Sequence, residues 1–369
     1  MQVLINNPLQ ATIVFGVIFL IIILISFRRR KESDGLSLEV TQELKGIATL
    51  MVVLSHIGYF LVNDSRFLFP LTVAAGVGVN LFLFLSGYGL SASSSKSKIS
   101  VWKNYLRRLG KLFVPMWIIL ALFYFLDFFY LGKSYSLTYI IQSVLGFFPH
   151  ADLYQDINSP LWYFTLIIFY YLIFPLVFWK KFPWLSAIVI YLISYFIIQS
   201  EPVFLNNVLH LHKIHLVAFP LGVIFAYLFS KQPVINFFKK LGEQKKIIWR
   251  CLIIASGLFL AIYTIKNSNV GVKNLEEWTS IISVLALIAV FAIKKIKIRA
   301  FYWLGFFSYE IYLLHWPIMY RYDFIYKYLP AWLGTILYLF IFILLGWGLN
   351  KLSALLTQKT KKIDTKKTE

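Results

Sequence analysis

Cysteine is nearly absent. Cys251 is the only one in 369 residues, which excludes an intrachain disulfide framework and any Cys-based zinc site. Charge is scarce as well, at 14% of residues against about 25% in a soluble domain. Acids are the rarer sign, 16 against 36 Lys and Arg, leaving a net charge of +20. Glycine-rich phosphate loops, HExxH, GxSxG and metal-spaced Cys/His clusters are missing, so no metal is expected. Internal repeats are missing too, and no segment between the apolar runs is long enough to hold a soluble domain.

Apolar residues are abundant instead, at 59%, with 19% aromatic and a mean hydropathy of +0.73. A soluble globule with this composition would expose too much apolar surface, and a disordered chain needs the opposite balance. The chain reads as an all-α polytopic membrane protein. Eleven runs approach the ~20 apolar residues a span needs. They cover about 9–27, 44–62, 71–92, 112–131, 160–179, 183–200, 214–230, 247–265, 278–293, 301–320 and 331–350. Pro160, Pro183, Pro202 and Pro330 punctuate several ends. The first run lacks a basic n-region and a cleavage site, and is expected to be a retained helix.

Lys and Arg set the orientation. If residues 1–8 lie outside, 29 of the 36 basic residues fall on the inner side. The seven outside are Arg66, Lys133, Lys213, Lys266, Lys273, Arg321 and Lys327. The amino terminus is therefore expected outside and the carboxyl terminus in the cytosol. The +20 becomes mostly an orientation signal, and nucleic acid drops out as a partner. The tail 351–369 reads as a basic run on anionic membrane lipid.

Polar side chains inside spans are costly and default to functional candidates. Lys45 and His56 are eleven residues apart. At 100° per residue they share one helix face, about 16 Å apart along the axis. Histidine is the usual proton acceptor near neutral pH. The bland alternative has Lys45 snorkelling to lipid and His56 bonded to a neighbouring helix. The run GVGVNLFLFLSGYGLSAS carries Asn80 and Ser86, with Gly76, Gly78, Gly87 and Gly89 suited to close helix packing. Lys103, Arg107, Arg108 and Lys111 cluster just after it, a site for lipid headgroups or for the phosphates of a nucleotide-like donor. In FFSYEIYLLHWPIMYRY, Ser308, Tyr312 and His315 form one polar stripe, and Glu310 points the other way towards a different neighbour. His210, His212 and His215, spaced by two and three, read as interfacial and only loosely as metal ligands.

Five segments in order resemble the membrane acyltransferase family 3, whose bacterial members move acyl groups, often acetyl, to envelope sugars. They are LKGIATLMVVLSH, GVNLFLFLSGYGL, YLRRLGKLFVP, LWYFTLIIFYYLIFP and SYEIYLLHWPI, spread over residues 40–350. The resemblance implies that His56 is the essential histidine, with Lys45 in the place of a basic partner that is often Arg. It implies that Arg107 and Arg108 lie near the phosphates of coenzyme A, beside Lys111, with Ser86 of the Ser-Gly pair also on the donor side. It also carries over Trp162, Tyr312 and His315, and with Asn80 and Glu310 these are candidate substrate contacts. Many relatives have an acid at Asn80 and a Glu pair at Ile167 and Ile168. The family core has ten helices, so residues 1–39 read as an added first helix with a basic linker, 40–350 as the core and 351–369 as the tail.

Two functions follow as expectations. The first is an O-acyltransferase of the bacterial plasma membrane. It takes acetyl or another short acyl group from cytosolic acyl-CoA and passes it to a carbohydrate hydroxyl reached from outside. The second is a transporter or flippase for a lipid-linked sugar, which would tolerate changes at Arg107 and Arg108. The lack of inverted repeats argues against it.

Overall fold

The computed structural model describes residues 3–30, 36–96, 101–205, 207–242, 247–268 and 276–366. For 96, 101–104, 107, 239, 242, 247, 268, 276 and 358–366 it describes the backbone alone. The chain is helical almost throughout. In order the elements are α1 (Pro8–Ile25), β1 (Phe27–Arg29), α2 (Leu38–Ser55), α3 (Ala75–Lys96), α4 (Val101–Leu131) and α5 (Leu137–Val144). Then come α6 (Trp162–Val177), α7 (Pro183–Gln199), α8 (Leu209–Lys213), α9 (Ala218–Leu228), α10 (Gln232–Gly242) and α11 (Ile247–Ser268). The last are α12 (Glu276–Ile293), β2 (Ile296–Ile298), α13 (Arg299–Phe306), α14 (Ser308–Tyr320) and α15 (Ala331–Lys366).

Every apolar run read from the sequence is helical, because in a bilayer the backbone must satisfy its own N–H and C=O groups. Among the described residues, eight helices are long and apolar enough to cross a membrane, with two shorter apolar helices over Pro183–Gln199 and Glu277–Ile293. The run expected at 301–320 is two helices, α13 and α14, broken at Phe307 (φ −102°, ψ 17°). The run at 214–230 is helical only from Ala218, with the short α8 ending just before it at Lys213. A third departure falls at the site: α2 stops at Ser55, and His56–Leu61 form a π-helical turn. Such turns recur at functional positions because the extra residue re-aims a side chain.

Four helices make the centre: α2 packs on α3 and α13, and α3 packs on α9. Glycine permits this closeness. A Cβ on Gly46 would collide with the carbonyl of Phe301, and one on Gly305 with that of Gln42. Across the other crossing, a Cβ on Gly87 would strike Phe219 O and one on Gly222 would strike Phe84 O. Backbones in contact gain dispersion over a long seam, the main attraction available between helices in lipid.

The leading segment is tied to this centre by polar groups. β1 pairs antiparallel with β2, Arg28 opposite Lys297. Just beyond, Arg30 Nη2 donates to Glu43 Oε2 at 2.9 Å, and Lys294 Nζ donates to Glu43 Oε1 at 2.7 Å. The amide of Ile298 also donates to Glu43, whose side chain is fully buried. Burial pulls the Lys294 ammonium down to about 8, with the Glu43 carboxylate opposing that shift. At the far end, Asp127 at the end of α4 accepts from Arg321, Tyr135 and Tyr322. Arg321 also donates to the carbonyl of Asp156, which fixes the loop 145–158 against α14.

Candidate active site

α2 and α14 meet at two histidines. His56 Nδ1 lies 2.8 Å from His315 Nε2, with ring planes 9° apart and centroids 5.0 Å apart. The protons on both rings follow from the partners. His315 Nδ1 faces two main-chain carbonyls, Tyr312 O at 2.9 Å and Ile311 O at 3.1 Å. A carbonyl only accepts, so His315 Nδ1 carries the hydrogen and its Nε2 is the acceptor. His56 Nδ1 must then donate, which leaves His56 Nε2 with a free lone pair. His315 is fully buried, whereas His56 is partly open. Trp316 and Phe60 pack against the His56 ring at centroid distances of 5.4 and 5.7 Å.

His56 borders two cavities. The first, about 340 Å³, runs between α2, α3, α6 and α14 and includes Lys45, Thr49, His56, Ser86, Trp162 and Tyr312 on its wall. Lys45 and His56 thus face one space, as their spacing along α2 requires. Ser308, Tyr312 and His315, the polar stripe of α14, border it together. The second cavity, about 460 Å³, is lined by His150, Asp152, Ser159, Asn207 and His210. His56, Phe60, Pro160, Trp162 and Leu211 belong to both. His56 therefore stands at the border between a mostly apolar chamber that reaches Lys45 and a more polar vestibule under the loops.

Loop side chains shape that vestibule. Asn207 Nδ2 and His150 Nδ1 are 2.7 Å apart and join the loop before α6 to the one before α8. The main-chain amides of Tyr154 and Gln155 donate to Asp152 Oδ1 and hold its carboxyl below the usual carboxylate range. Burial pushes Asp156 the other way, and its Oδ2 accepts from Asp152 N at 2.8 Å.

The remaining residues picked out by sequence take varied places. Tyr312 Oη donates to Pro160 O at 2.8 Å and so braces the start of α6. Asn80 and Glu310 do not border the first cavity. Asn80 is buried between His215 and Ser280, and Glu310 Oε1 accepts from Asn350 Nδ2 at 2.6 Å, the different neighbour its helix face required. Arg108 Nη2 donates to Ser93 Oγ at 2.9 Å and Gly89 O at 3.3 Å at the end of α3, and Lys111 is exposed. Neither borders the first cavity, and the Arg107 side chain lies outside the described residues. His215, read from sequence as interfacial, is buried on the first cavity wall beneath Trp162, their rings 16° apart. The break between α8 and α9 brings it there, and regular spacing could not show that.

A family model described as an acyltransferase domain, that of acyltransferase family 3, matches residues 44–351. Searches of curated proteins and of solved structures gave no match. The matched span runs from the second turn of α2 into α15, and includes both histidines, Lys45 and the residues of the two cavities. With over four-fifths of its length matched, the chain belongs to acyltransferase family 3.

Proposed function

We propose that the chain is a membrane O-acyltransferase that moves an acetyl or other short acyl group from cytosolic acyl-CoA to a carbohydrate hydroxyl. The observation that carries this reading is His56 on the border of two cavities, with Nε2 unprotonated and Lys45 in the first of them. The acyl-pantetheine arm enters the first cavity, where Lys45 pairs with a phosphate or the polar end of the donor. Arg107, Arg108 and Lys111 gather the nucleotide phosphates at the mouth. The acceptor enters the vestibule.

His56 Nε2 takes the proton of the acceptor hydroxyl as its oxygen bonds to the thioester carbonyl carbon. The tetrahedral centre then collapses, the C–S bond breaks, and the thiolate leaves with the proton held by His56. His315 keeps His56 in the tautomer that can accept. The chamber excludes water, which favours transfer over hydrolysis.

Sidedness comes from the basic residues: 29 of 36 on one side makes that side cytosolic. Eleven spans result when α7, α12 and the α13–α14 pair cross alongside the eight long helices. The amino terminus is then outside and the carboxyl terminus inside, in the plasma membrane of a bacterium. The family core of ten helices is then residues 40–350, preceded by α1 and followed by a lipid-bound basic tail. The acceptor is a surface polysaccharide, a wall polymer or a lipid-linked glycan.

Full-length protein in lipid nanodiscs, given radiolabelled acetyl-CoA and an envelope glycan extract, tests this. Transfer should be CoA-dependent, and His56→Ala should slow it about 100-fold or more. Transfer by His56→Ala at the wild-type rate would refute the role of His56.

A further inference from the structure

His215 takes no part in the steps above, yet it borders the first cavity and is 2% exposed. Its Nδ1 is 2.7 Å from Asn80 Oδ1, and Asn80 Nδ2 donates to Ser280 Oγ at 2.8 Å. All three side chains are buried. With its amide nitrogen engaged by Ser280, Asn80 offers His215 a carbonyl oxygen, so His215 Nδ1 carries the hydrogen and Nε2 keeps its lone pair. Among the described residues, Nε2 has no hydrogen-bond partner. The ring cannot easily turn away, because the Trp162 indole stacks on it at 5.7 Å.

The level of His215 in the cavity follows from its neighbours. Leu211, one turn earlier, and Trp162 both border the two cavities, as His56 does. His215 thus belongs to the His56 end of the chamber, where the acceptor meets the acyl group. Nε2 opens onto the cavity, so an acceptor that fills this space and brings no donor to it leaves a desolvated lone pair unmet, and one that brings a donor is selected.

We infer that His215 determines acceptor specificity: its Nε2 accepts a hydrogen bond from a second hydroxyl of a polyhydroxylated acceptor, beside the hydroxyl that His56 deprotonates. This rests on the acyltransferase reading above. Ser280 and Asn80 are positioning residues that set the His215 tautomer.

The test combines acetyl content of envelope glycans, by mass spectrometry of a complemented deletion strain, with coenzyme A affinity of the full chain in nanodiscs. His215→Phe keeps the stack on Trp162 and removes both nitrogens; His215→Ala serves as a second variant if one fails to fold. With either, acetyl content should fall at least about tenfold while coenzyme A affinity stays within about twofold. Asn80→Leu should behave alike. Asn80→Asp, which can only accept from His215, should stay close to wild type.

The inference is overturned if folded His215→Phe acetylates normally. It is overturned equally if His215→Phe weakens coenzyme A binding as much as transfer, since the partner of Nε2 is then a donor amide. Loss of activity in Asn80→Asp matching Asn80→Leu would refute the tautomer. A wild-type chain that neither binds coenzyme A nor restores acetylation would refute the acyltransferase reading itself.

Discussion

His315 decides which nitrogen of His56 is free. Two carbonyls of its own helix hold its Nδ1 hydrogen, so its Nε2 accepts from His56 Nδ1 at 2.8 Å. A histidine that is fully buried thereby orients one that is open to the cavity, much as an outer carboxylate orients a metal-bound imidazole. His315→Phe preserves the stacked ring and removes the acceptor. It should lower kcat about 10- to 100-fold with little change in KM for acetyl-CoA. Steady-state transfer assays on the purified protein decide this, and an unchanged kcat would discard the orienting role.

Lys45 is the cation on the wall of the first cavity, and its role is expected to be electrostatic. Lys45→Met should raise KM for acetyl-CoA about tenfold or more, the loss of about 1.4 kcal/mol of donor binding. Lys45→Arg keeps the charge and should stay nearer to wild type. Titration of coenzyme A against the three proteins separates the cases; equal affinities would remove Lys45 from the donor site.

Glu43 neutralises two buried cations, Arg30 and Lys294. Removing one partner of such a group strands the others without water, at a cost of about 3–5 kcal/mol. Glu43→Ala should therefore lower the Tm in detergent by many degrees or abolish expression. The triple change Glu43→Leu, Arg30→Leu, Lys294→Met should recover much of the loss. A single Glu43→Ala protein that melts with the wild type would contradict this account.

The glycine seams make a sharper contrast. Gly305→Ala and Gly222→Ala place a methyl into the backbone of a neighbouring helix, where nothing flexible can yield. Each should cost about 3 kcal/mol or more. Gly89→Ala, with open space around the new Cβ, should be neutral or slightly stabilising. Thermal melts of the three purified proteins suffice; equal Tm values would mean that the helices separate freely.

Helices were legible in the sequence because runs of apolar residues have no other low-energy form in a bilayer. The shared face of Lys45 and His56 was legible because α2 stays regular up to Ser55. The stripe of Ser308, Tyr312 and His315 was legible for the same reason within α14. What joins those two faces was not: the hydrogen bond between His56 and His315 spans 259 residues, and periodicity holds no long-range information. Glu43 and Asp127 do not stand out in the sequence, because a carboxylate near a helix end resembles a solvated one until its partners are known. The burial of His215 does not show in the sequence, since its place depends on the break between α8 and α9, and the β1–β2 ribbon lies in a segment that reads as a basic linker.

The family match begins at residue 44, one residue after Glu43. The edge of the family match therefore cuts through the ion-pair cluster around Glu43. A protein trimmed to 44–351 would keep Lys294 while losing its counter-charge Glu43 and the Ser37 cap of α2. Of the α2 face that leads to His56, the first turn and a half would go with it. The segment that precedes the family match thus acts as a brace: Arg30 and the β1 ribbon clamp the start of α2 against Lys294 and β2.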